Sequence, residues 1–387
     1  MTQSNLETEL HSGVSRFSAY GKVSISADTF PTDAVKAASG YTYKRVSFPV
    51  SVGDNNTIYV QMMGGYSPKK PVIYARNTDN DPIEVNWDLR TNENILENIA
   101  DRSFVKVRLE KDADGKLIEK KFLSEFDAIT YMADHLKDGQ QVYIGGDVEY
   151  RHYNGQIQRS FNMTTVALDE NEDRKPSAQL SQTYLIDSTS VDRDWEDQLE
   201  EKKQLVVNAY VPQYVGKHEG KQIKKTLAFP QQFVLKATDE NMDKRKAIVK
   251  RFLLTDEDVV RELSLLCDLV DGYEESTGNV ELSDDLKELI KLGFMTEEAA
   301  EKQMTIGGNR VRETVLVRPM LRRNNGQPEL MMEDKYAPEA LVFLQAIMDD
   351  EEIDDPFPPE DETAKSTESK DENVTTSFED DINAMFS

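Results

Sequence analysis

Apolar and polar residues alternate with period two from Phe17 onward. Residues 19–26, 41–50 and 57–63 each read as a strand, and Gly53-Asp54-Asn55-Asn56 supplies the turn between the second and third. Three shorter strand-like runs follow near 72–75, 83–87 and 104–109, and Asp112-Ala113-Asp114-Gly115 makes a turn after the last. The period then changes. Phe126, Ile129, Tyr131, Met132 and Leu136 fall on one helical face over 123–137, with Ser124 as N-cap and Asp138-Gly139 as the stop. Strands at 142–153 and 156–168 flank Asn154-Gly155, the strongest short-range hairpin signal.

Three strands, a helix and two strands is the layout of an OB-fold, a five-stranded Greek-key barrel. A weaker copy follows. Strands at 205–214 and 223–235 surround a Gly216…Gly220 turn, and residues 239–304 read as helical, with an apolar-faced helix over 256–270 and another over 283–292 that Gly293 stops. Strand pattern returns at 312–323, passes the Asn324-Asn325-Gly326 turn and resumes at 329–332, before a last helix over 338–348. Asn325-Gly326-Gln327 echoes Asn154-Gly155-Gln156, a weak internal repeat. The expected fold is therefore mainly β with helical insertions (α+β), built as two OB-like modules. Residues 1–15 are a flexible N-terminus, 16–170 the first module, 171–183 a linker, 184–348 the second module with its insertion at 239–304, and 349–387 a disordered tail.

Charge changes this picture at one end. The chain carries −26, and the fifteen Asp/Glu and two Lys from Asp349 onward supply −13 of it. So like-charged a segment cannot bury enough apolar surface to offset its ordering entropy. An acidic balance argues against nucleic acid, whose usual footprint is basic. Local basic clusters nevertheless stand out at Lys44-Arg45, Lys69-Lys70, Arg151-His152, Lys217 to Lys225 and Arg322-Arg323, and a groove needs only a local patch. Cys267 is the single cysteine and reads as a buried free thiol in an apolar run. Without an apolar leader or a stretch of ~18 apolar residues, the expectation is a soluble cytoplasmic protein.

Single-strand binding needs aromatic faces for bases and cations for phosphates. Residues two apart on a strand share a face, so the candidate contacts are Tyr43, Arg45, Tyr59, Tyr74, Arg76, Trp87, Arg151, Tyr153 and Arg159, with Tyr210, Tyr214 and the lysines at 217–225 as an extension. Taken singly, each aromatic is more often core and each Arg more often solvated; the clustering carries the idea. Asp112-x-Asp114-Gly115 is half a calcium loop, but Glu119 comes too early to close it, so it reads as a hairpin turn. Scattered histidines, and the lack of a phosphate loop, a CxxC pair or a nucleophile elbow, lead to the expectation of no catalysis, metal or cofactor.

The run Gly139-Gln140-Gln141-Val142-Tyr143-Ile144-Gly145-Gly146 and the hairpin Tyr150-Arg151-His152-Tyr153-Asn154-Gly155-Gln156 resemble bacterial-type single-stranded DNA-binding proteins. The tip Glu379-Asp380-Asp381-Ile382-Asn383-Ala384-Met385-Phe386 resembles that family's acidic ending. The match covers roughly 17–168 and the last ten residues, and the size and insertions look like a bacteriophage version. The resemblance implies a protein that coats single-stranded DNA in replication, recombination and repair. It also implies docking of partner enzymes through Asp380, Asp381, Ile382, Met385 and Phe386, and leaves homo-oligomer formation open. Such binding would weaken steeply with salt, and oligo-dT would quench Trp and Tyr emission. The competing reading is a protein–protein adaptor of a replication complex, without DNA binding of its own and with 239–304 as its surface.

Overall fold

The computed structural model describes residues 6–273 (apart from Asp54, Asn154, Glu172 and Glu219), Lys291 and residues 310–344. The tail, its tip and, apart from Lys291, the expected helix over 283–292 lie outside the described residues; the expected helix over 338–348 is a single 3-10 turn at Pro338–Ala340 followed by non-helical residues 341–343, and its end lies outside the described residues.

Along the chain, β1 (Ser15–Val23), β2 (Val35–Lys36), β3 (Thr42–Gly53) and β4 (Asn56–Tyr66) come first. An insertion holds β5 (Val72–Arg76), β6 (Pro82–Asn86) and the short α1 (Glu93–Leu96). Then come β7 (Val105–Lys111), β8 (Leu117–Phe122), α2 (Glu125–His135), β9 (Gln141–Tyr153) and β10 (Gln156–Leu168). The second half holds β11 (Ser177–Ile186), α3 (Trp195–Lys202), β12 (Gln204–His218), β13 (Lys221–Lys236) and α4 (Met242–Ile248), which runs into a π-turn, Val249–Leu253. It ends with β14 (Val260–Tyr273), β15 (Arg310–Pro319), β16 (Leu321–Asn324), β17 (Gln327–Leu330) and β18 (Met332–Tyr336).

Apart from the separate two-stranded hairpins β5–β6 and β16–β17, these strands form a large mixed sheet that closes on itself twice. In the first ring β1 pairs β3, β3 pairs β4, β4 runs parallel to β10, β10 pairs β9, and β9 returns to β1. In the second, β11, β12, β13, β15 and β14 repeat the circuit, with β13 parallel to β15 and β14 returning to β11. Alternation builds the core: Phe48, Ile58, Val60, Met62, Ile144 and Met163 point inward in the first ring, and Val207, Phe233, Leu265 and Cys267 in the second. Helix α2 seals the first ring with Ala128, Ile129 and Met132, and the Ser124 hydroxyl accepts from Phe126 N at 3.2 Å as its cap. Val249 and Leu253, at the end of the α4 segment, are buried in the corresponding position of the second ring.

Two further expectations are corrected. The run read as a helix over 256–270 is strand β14, paired on both sides by β11 and β15. Burial on both sides calls for a near-continuous apolar stretch, which looks helical in sequence. The expected linker over 171–183 overlaps β11, whose residues pair antiparallel with β1, Ser15 opposite Gln182 through Tyr20 opposite Ser177. No loose hinge separates the halves there.

The rings are joined at further points. Asn56, just after the β3–β4 turn, donates from Nδ2 to Leu269 O (3.1 Å) and accepts from Asp271 N (2.9 Å). The Gln213 side chain of β12 accepts from Tyr150 N of β9 at 3.2 Å. Burial pushes the Tyr150 hydroxyl and the Cys267 thiol up to about 12.

Close packing of β9 on β10 requires glycine at 146, where a Cβ would lie 2.0 Å from Asn162 O. Neither backbone can yield cheaply, so Gly146→Ala should lower stability by about 1–3 kcal/mol in urea unfolding. An unchanged midpoint would show that the ring is looser than described.

Candidate nucleic-acid interface

Strand parity determines which side chains reach the outside of the first ring. On β3 and β4, Phe48, Ile58, Val60 and Met62 face in, so Arg45, Ser47, Tyr59 and Gln61 face out. On β9 and β10, Val148, Tyr150, Phe161 and Met163 are buried, leaving Asp147, Glu149, Arg151, Tyr153 and Asn162 on the outer face. Because β4 lies parallel to β10 with Gln61 opposite Asn162, the polar side chains of four strands meet in a row. Arg45 Nη2 donates to Gln61 Oε1 (3.2 Å), Gln61 Nε2 to Asn162 Oδ1 (2.9 Å), and Asn162 Nδ2 to Glu149 Oε2 (3.2 Å). Arg151 closes the row from the other end, with Nε to Glu149 Oε1 at 2.9 Å and Nη2 to Oε2 at 3.3 Å. Partial burial lowers the pKa of Arg45. Beside this belt stands Tyr59, 61% exposed.

The belt brings together Arg45, Tyr59 and Arg151 from the expected contacts, with Tyr153 half-buried near the end of the same hairpin. The others lie elsewhere. Tyr43 has outer-face parity but is only 6% exposed, because Ala37, Tyr41 and Met63 cover it. Burial, and next the nearby Glu125 carboxylate, raise Tyr41 to about 12.

Trp87 is a core residue, not a stacking platform. It is 7% exposed, packed on Tyr66 (4.6 Å between ring centroids) and edge-on to Phe126 (5.7 Å). Arg90 covers it at 4.2 Å and grips Asp127 of α2 with bonds of 2.7 and 3.2 Å. Trp195 is buried too, so neither tryptophan is placed to stack on a base, and the expected quenching of tryptophan emission would have no direct route. Arg159 faces inward with Phe161, 5.2 Å from its ring, and donates to Thr314 of β15 at 3.0 Å. It is a strut between the rings.

Tyr74 and Arg76 sit on the separate β5–β6 hairpin. Tyr74 is 71% exposed, but its hydroxyl accepts from Lys70 at 3.2 Å, and that ammonium is also held by Glu84. Arg76 donates to Asn80 O at 2.8 Å. In the second ring Tyr210 is core against Phe343, while Tyr214 is exposed.

Sequence reasoning missed Asn162 and Glu149. Only the long-range alignment of β4 with β10 and β9 gives them a role, and single polar residues carry no signal of it. The half calcium loop is a hairpin turn, in which Asp112 Oδ1 accepts from Asp114 N and Lys116 N, both at 2.9 Å. Among the described residues no His/Cys/Asp/Glu group could hold a metal ion, and no helix is long and apolar enough to cross a membrane.

The family YorF matches residues 35–252, more than half of the chain. The chain belongs to the YorF family. The YorF match begins at β2 and ends within the π-turn before β14, so it spans most of the first ring and the opening strands of the second. No curated protein matches the sequence. Solved structures give only distant similarities. A deletion variant of the single-stranded DNA-binding protein from Thermus aquaticus is 11% identical at a TM-score of 0.30, covering 70% of this chain and all of that one. The wild-type form is 9% identical at a TM-score of 0.29, covering 67% of this chain and 87% of that one.

Proposed function

We propose that the chain binds single-stranded DNA across the outer face of the first ring, that each ring is an OB barrel, and that it acts without catalysis in replication and recombination. The observation that carries this is the exposed Tyr59 beside the Arg45–Gln61–Asn162–Glu149–Arg151 belt. The order of three strands, a helix and two strands, with the third and fifth parallel, supports the barrel reading. A base stacked on Tyr59 contributes ~1–3 kcal/mol without regard to sequence. Arg45 and Arg151 are held by their neighbours in orientations that leave them beside a passing backbone.

The belt offers few cations, and Glu149 offsets one of them. Binding should therefore respond to salt less steeply than the charge clusters in the sequence suggested. Neutralising one or two phosphates gives a slope of log K on log salt of about −1 for a single strand. In an anisotropy titration, labelled oligo-dT should bind with that slope and in preference to duplex. Tyr59→Ala should weaken it roughly ten-fold. No binding, or equal affinity for duplex, would contradict the proposal.

In the same reading, residues 349–387, with −13 of the charge, compete with DNA for the belt, and the tip from Asp380 to Phe386 docks replication and recombination proteins. Removing 349–387 should tighten oligo-dT binding; unchanged or weaker binding would count against competition by the tail.

A further inference from the structure

A cleft of about 720 Å³ opens between the two rings. Arg16 and Asp147 line it from the first ring, and Gln213, Tyr214 and Glu262 from the second. Its volume lies within the range of small-molecule sites, ~300–1,000 Å³, enough for a nucleoside.

Three features give the cleft a chemical character. Tyr214 is 54% exposed and lies among the lining residues, so its ring face is open to a ligand. Arg16 is 75% exposed and meets Asp147 at 3.6 Å, an ion pair worth little in solvent and easily exchanged for a phosphate. The inner wall is polar but satisfied: Thr183 and Ser264 hydroxyls share a 2.8 Å hydrogen bond, and the Glu262 carboxylate accepts from Tyr336 (3.0 Å) and Lys335 (3.2 Å). The two hydroxyls are buried and used within the wall, and the Glu262 carboxylate, held in place, still has lone pairs for the edge of a base.

The cleft also continues the belt. Asp147 precedes Glu149 by two residues on the same face of β9, about 7 Å along the strand, and is opposite both Asn162 and Arg16 in register. A single strand leaving Tyr59 and crossing Asn162 and Glu149 is thus led to Arg16 and then to Tyr214 of the other ring.

We infer that this cleft is a second nucleic-acid site, in which Tyr214 stacks on a nucleobase and Arg16 holds the adjoining phosphate, so that one strand spans both rings. The inference rests on the single-strand reading of the belt, and the test separates the two. Affinity of the full chain is measured for oligo-dT of about 8 nucleotides, near the footprint of one ring, and about 25 nucleotides, long enough for both. Tyr214→Ala should weaken the longer oligonucleotide roughly ten-fold and leave the shorter one unchanged. Tyr214→Phe, which keeps the ring, should bind both like the native chain, and Arg16→Ala should reduce affinity only for the longer one. If Tyr214→Ala binds both lengths normally while Tyr59→Ala weakens both, the cleft inference fails and the belt stands. Equal losses at both lengths would place Tyr214 in the belt's own site and overturn the inference. A native chain that binds neither length would overturn both.

Discussion

The antiparallel pairing of β1 with β11 is the contact on which the rest of the molecule depends. At the end of this ladder, opposite Ser15, Gln182 is buried with every polar capacity of its amide used. Oε1 accepts from Ser15 Oγ (2.9 Å) and Tyr150 OH (3.3 Å), and Nε2 donates to Val14 O (3.1 Å) and Thr183 O (3.0 Å). A one-residue slip would turn this amide to the other face and strand its partners, and each unsatisfied buried group costs ~1–3 kcal/mol. The register is therefore specified, and with it the seating of one ring on the other. Asn56 and Arg159 repeat the principle at other points of the seam, each spending a polar side chain on the opposite ring.

That seam decides what is left for binding. Residues with inward parity near it, such as Arg159 and Tyr150, are used in joining the rings, while the outer face of β3, β4, β10 and β9 stays open. The strong net negative charge does not oppose this. At physiological salt the Debye length is about 8 Å, so charges farther from the belt than that are largely screened. Local geometry governs instead: two guanidinium groups held by Gln61 and Glu149 beside an exposed tyrosine. With little unbalanced positive charge, the proposed interface would depend on stacking more than on Coulomb attraction, and the exposed tyrosines 59 and 214 would matter more than the lysine-rich hairpins that stand out in the sequence.

Much of the first ring was legible because its strands are buried on one face only. Period-two alternation marked β3, β4, β9 and β10, and the Ser124 cap marked α2. The second ring was obscured where both faces are covered. The Leu-Ser-Leu-Leu-Cys run of β14 has no alternation to read, and β11 hides behind Gln182 and Thr183, polar residues that are buried and hydrogen-bonded rather than exposed. The site was legible to the same depth. Parity placed Arg45, Tyr59 and Arg151 on one face. It also put Arg159 on the face of Phe161, which is the inner one. Tyr43 was lost to burial by the nearby Ala37 and Tyr41 together with Met63 of β4, and Trp87 to Tyr66 and the distant Phe126 of α2, while the amides that complete the belt become visible only when β4 and β10 are known to be neighbours.

The central claim is that bases of a single strand rest on the outer-face tyrosines. Photocrosslinking of the full chain to a single strand carrying 5-iodouracil, followed by mapping of the modified residues, tests it most directly. The account predicts adducts at Tyr59, with Tyr214 added for longer strands, and none at Trp87. Adducts confined to Tyr74 and the β5–β6 hairpin, or an absence of adducts at Tyr59, would contradict it.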